Sequence, residues 1–112
     1  MRTTSIKIPI YFGRLVIIQT NDFKSLDKKF DIDVDDNQFE AFVFYKEIDE
    51  VDCYHIVMKE GDVRLSVIAH ECVHLANEVF IKIRAKLDPY NDEPHAYLVG
   101  WFFTEIENFL KK

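Results

Sequence analysis

Ile68-Ala69-His70-Glu71-Cys72-Val73-His74-Leu75-Ala76-Asn77-Glu78-Val79 is the stretch on which the reading of this 112-residue chain turns. Ile68, Cys72, Leu75, Val79 and, further on, Ile83 recur at three- and four-residue spacing, which is the apolar stripe of an amphipathic helix. The pattern begins after Gly61-Asp62 and predicts a helix from Val63 to Ala85. Downstream, Lys86 to Asp92 contains Pro89 and reads as a loop. Glu93 to Leu110 returns to helical spacing and is followed by Lys111-Lys112, cations suited to a helix C-terminus.

Upstream the period changes to that of strands. Ile6 to Phe12 and Leu15 to Thr20 are rich in β-branched and aromatic residues and flank Gly13-Arg14, which predicts two strands and a tight turn, with Pro9 keeping the first at an edge or at a bulge. Asn21 to Phe30, with apolar residues at Phe23, Leu26 and Phe30, predicts a short helix. Phe39 to Tyr45 and Cys53 to Met58 predict a hairpin joined by the acidic segment Lys46 to Asp52. The expected architecture is α+β: one domain over residues 1–112, with a short, mostly antiparallel sheet packed on two long helices.

Composition narrows the function. The chain is 48% hydrophobic and 14% aromatic, enough apolar material for a packed core. Its net charge of −6 has the wrong sign for gripping a phosphate backbone, so no nucleic-acid partner is expected. No apolar run approaches the ~20 residues needed to span a bilayer, and Lys7, Pro9, Gly13 and Arg14 interrupt any signal-like core; a cytoplasmic protein with no membrane partner is expected. Cys53 and Cys72 are expected to be reduced, buried thiols.

The chemistry lies in His70-Glu71-x-x-His74. Residues four apart stand about 40° apart around a helix and one turn along it, so both imidazoles can reach one ion. Glu71 lies ~100° round from His70, where it can serve as a proton carrier without being a ligand. With four His and nine Glu in the chain, a shuffled sequence would contain HExxH about once in a hundred trials. Catalytic zinc usually takes three protein ligands. The metzincin continuation is excluded because Asn77 and Phe80 stand where a glycine and a histidine are required. Glu93 is the expected third ligand, with Asp92 and His95 as rivals.

His70-Glu71-x-x-His74 followed by Glu93 resembles the gluzincins, HExxH zinc metallopeptidases (zincins) whose third ligand is a downstream glutamate. The small size is similar to that of the minigluzincins, and Asp92-Glu93-Pro94-His95-Ala96-Tyr97-Leu98-Val99-Gly100-Trp101 resembles a stretch in small HExxH proteins of bacteriophages and prophages. The likeness covers the second half of the chain well and the first half only as a strand pattern. It implies a zincin-like fold built on an active-site helix and a glutamate-bearing helix. It also implies one zinc per chain held by His70, His74 and Glu93, and hydrolysis of peptide bonds with Glu71 as general base. The substrate would be a protein or peptide lying along a sheet edge, for which Phe39 to Tyr45 is the candidate strand, and a viral source would place the protein in a host cytoplasm. Tyr97 stands where several gluzincins carry an aspartate that supports a histidine ligand. It is either a hydrogen-bond donor in catalysis or an aromatic packed between helices. The alternative function is a zincin-fold module that recognises a partner protein, with or without metal, and does not cut it.

Other signals are weaker. Asp31-Ile32-Asp33-Val34-Asp35-Asp36 lacks the glycine and glutamate of a calcium loop and reads as a solvated acidic segment. His55 reads as a packed or surface histidine, and Trp101, Phe102, Phe103, Phe109 and Leu110 read as core.

Overall fold

The computed structural model describes residues 1–34 and 40–112. The elements follow in the order β1 (Arg2–Lys7), β2 (Arg14–Gln19), α1 (Ser25–Phe30), β3 (Ala41–Ile48), β4 (Val51–Met58), α2 (Leu65–Ile83) and α3 (Glu93–Leu110). The expected α+β architecture is present. One four-stranded sheet has the order β1-β2-β4-β3, with antiparallel outer pairs and a parallel central pair, β2 with β4. β1 and β3 are therefore the two edges.

Alternation along the strands sorts the core into two layers. Leu15, Ile17, Tyr54, Ile56 and Met58 face α2 and α3, where they meet Ile68, Cys72, Leu75, Val79, Leu98, Phe102 and Ile106. Ile18 and Val57 face the other way and meet Phe23, Leu26 and Val34 beneath α1. The stripe read from the sequence holds for Ile68, Cys72, Leu75 and Val79, each at most 1% exposed, but Ile83 at the end of α2 is 41% exposed. Phe102 and Phe109 are buried, and Trp101, Phe103 and Leu110 pack partly buried against the same core. Both cysteines are free and buried.

The first strand is corrected. It runs Arg2–Lys7 rather than from Ile6 to Phe12, because residues 8–13 form the hairpin loop, in which the Ile8 amide donates to the Gly13 carbonyl at 3.0 Å. Pro9 lacks a donor, and Ile10 and Phe12 adopt positive φ, so this apolar run cannot continue a ladder. Gly13 has φ +81°, and a Cβ there would stand 2.7 Å from the Asp52 carbonyl oxygen, so the turn needs glycine.

The second hairpin is tighter than expected. β3 continues to Ile48 and β4 begins at Val51, leaving Asp49-Glu50 as a two-residue turn, both at positive φ. That is the type I′ geometry, which matches the strand twist. Acidic side chains disguised it as a longer connection. The α1 helix is shorter than expected. It starts at Ser25, with the Asp22 carboxylate accepting from the Ser25 amide. Phe39, Asp35 and Asp36 lie outside the described residues.

Candidate metal centre

After Gly61 breaks the chain direction, the Arg64 guanidinium pairs with the Glu40 carboxylate, and the Arg64 carbonyl accepts from the Val67 and Ile68 amides to open α2. The helix ends at Arg84, whose left-handed conformation lets the Ala85 amide reach the Phe80 carbonyl at 2.9 Å. Packing the Ile68, Cys72, Leu75 and Val79 stripe on the sheet turns His70 and His74 to the exposed side.

There the two Nε2 atoms stand 3.1 Å apart, with ring centroids 4.8 Å apart. Ordinary zinc–nitrogen bond lengths of ~2.0–2.1 Å would span that gap at an angle of about 100° at the ion, near tetrahedral. The donor set fits a shared metal. Glu71 projects toward the sheet side, 8% exposed, with an oxygen 3.9 Å from His70 Nε2. Its burial pushes the carboxyl above the usual carboxylate range, and the neighbouring His74 and His70 partly offset that rise. One ligand atom from each of His70, Glu71 and His74 lies within 4.8 Å of the others.

Glu93 and Tyr97 do not join this cluster. α3 faces α2 through His95, 9% exposed, whose Nε2 is 2.8 Å from Asn77 Oδ1 and whose ring meets the Phe80 edge at 5.1 Å. Glu93 and Tyr97 lie two residues to either side of His95, hence ~200° round the helix, on the side away from α2. Glu93 is exposed and Tyr97 is 48% exposed. Asp92, at the cap of α3, is also exposed. His95, the other rival, is occupied by Asn77. Sequence reading passed over Asn77. Its only signal is an amide within an otherwise apolar stretch, Leu75-Ala76-Asn77.

His55 is 1% exposed and is sandwiched against Phe44, with ring centroids 4.2 Å apart and planes within 6°, on the α1 side of the sheet. It is a packed histidine, remote in layer from the cluster on α2. No helix among the described residues is long and apolar enough to cross a membrane. Compared with protein-family models, curated proteins and solved structures, the chain matches none.

Proposed function

We propose that the protein is a zinc-dependent peptidase of narrow specificity. The observation that carries this is the convergence of the His70 and His74 Nε2 atoms at 3.1 Å beside a buried Glu71. Zinc, when bound, would supply a Lewis acid that polarises a carbonyl and acidifies water. Glu71 would take a proton from the attacking water and pass it to the leaving amine, a role favoured by a carboxyl whose burial raises its proton affinity. A structural zinc site needs no such proton carrier. β3 is a free sheet edge on the side of the fold that packs against α2, and an extended peptide would bind there as an added strand. The gluzincin likeness asks Glu93 for the third ligand, and the same likeness motivates a phage-type protein acting in the cytoplasm.

One observation favours the second reading, a zincin-fold recognition module that does not cut its partner. Glu93 stands outside the histidine cluster, on the far side of α3. The two readings part on zinc content and on Glu71. A peptidase binds zinc in the wild type, loses it in His74→Ala and Glu93→Ala, and in Glu71→Gln keeps zinc while losing all cleavage of a peptide library. A wild-type chain that takes up no zinc after reconstitution sinks the peptidase reading.

A further inference from the structure

The exposed side of α2 around the histidines carries no charge. Ser66, Ala69, Val73, Asn77 and Ile81 accompany the pair over an arc of about 140°. All are exposed except Asn77, which is half-buried, and the chain as a whole is 30% charged. The residues immediately beside the pair are small, and Gly100 on the neighbouring α3 meets nothing within 4 Å of where a Cβ would stand. A second helix can therefore approach without like-charge repulsion or a steric barrier. The ion itself is under-supplied: zinc prefers four ligands, and the histidine pair offers two nitrogens, with Glu93 and Tyr97 turned away from α2.

We propose that limiting zinc joins two copies of this chain across α2, with the His70 and His74 imidazoles of each copy completing one four-nitrogen site. This rests on the zinc-binding part of the proposed function and adds a regulation to it. In the joined state the ion has no open position, so neither copy can act on a peptide. Excess zinc gives each chain its own ion and separates the pair. The exposed face of a single helix is well below the ~1,000 Å² that holds proteins together unaided, so the association depends on the metal and a chelator reverses it. The two-fold arrangement is self-complementary, since each copy contributes the same pair.

Zinc is titrated into the metal-free full chain while sedimentation velocity follows the mass and a metal-sensitive dye follows free zinc. Mass should rise to twice the monomer at one zinc per two chains, fall again beyond one per chain, and stay monomeric throughout in His74→Ala. Glu93→Ala should dimerise as the wild type does. A chain that takes one zinc while remaining monomeric overturns the joining and leaves the peptidase reading standing. Absence of zinc binding overturns both, and a dimer that persists in His74→Ala or with chelator overturns the joining.

Discussion

His55 shows what burial does to a single titratable side chain. It sits between Phe44 and Phe30 with Nδ1 unpartnered, and loss of solvent pushes its pKa down to about 4 from the usual 6.5, with Lys29 adding a smaller push in the same direction. Above pH 6.5 both the folded and unfolded chains carry it neutral, and it adds no pH dependence. Between 6.5 and about 4 the unfolded chain gains a proton that the folded chain does not, so stability falls with pH across that window. The melting temperature of the wild type should drop more steeply over that interval than that of His55→Phe, measured by circular dichroism; parallel curves would show that His55 does not titrate this way. Sequence reading anticipated a packed histidine from its apolar strand, but Phe30 and Phe44 reach it from separate elements, and that contact has no local signature. The same holds at the candidate metal centre. His70, Glu71 and His74 were legible because one helix positions all three. Glu93 and Tyr97 were not, because their orientation depends on how α3 meets α2, and that is set by His95 and Asn77.

Elements announced themselves where their period was long and lost definition at their ends. α2 and α3 were read nearly in full from their apolar spacing, and α3 matches its expected bounds. The β3–β4 turn was missed because Asp49-Glu50 lacks the glycine that normally marks type I′ geometry. Glu50, at φ 66°, holds a left-handed conformation that costs an ordinary residue roughly 1 kcal/mol. Glu50→Gly should therefore stabilise the protein by about 0.5–1 kcal/mol in urea unfolding, since the exposed side chain gives up no burial. A destabilised variant would mean that the Glu50 side chain holds the turn through contacts with its neighbours. The β1–β2 loop carries a similar burden at Ile10 and Phe12, both at positive φ and 76% and 80% exposed. An apolar pentad there mimics a strand in sequence while the backbone turns.

At the scale of the whole molecule, one side chain ties the two ends of the chain. The Arg2 guanidinium donates to Gln19 Oε1 at 2.6 Å, to the Phe109 carbonyl at 3.3 Å and to the Lys112 carbonyl at 2.8 Å, and it lies 4.5 Å from the Phe109 ring centroid. It thus caps the C-terminal carbonyls of α3 from the edge strand of the sheet. Arg2→Ala should cost about 1–3 kcal/mol, the range for hydrogen bonds to a charged donor, and should increase amide exchange first in the last turn of α3. An unchanged exchange pattern would mean that α3 is held by Phe102, Ile106 and Phe109 alone.

The central parallel pair has a kinetic consequence. Each antiparallel hairpin closes over a short loop, residues 8–13 in one and 49–50 in the other, whereas β2 meets β4 only after the chain between Gln19 and Val51 has been gathered in. Closing that long loop costs entropy before any ladder bond repays it. The two hairpins can form early and independently, and the seam between β2 and β4 is the late, rate-setting event. Until it closes, both inner strands are open edges rich in Ile and Val, and it is then that newly made chains are most exposed to pairing with one another.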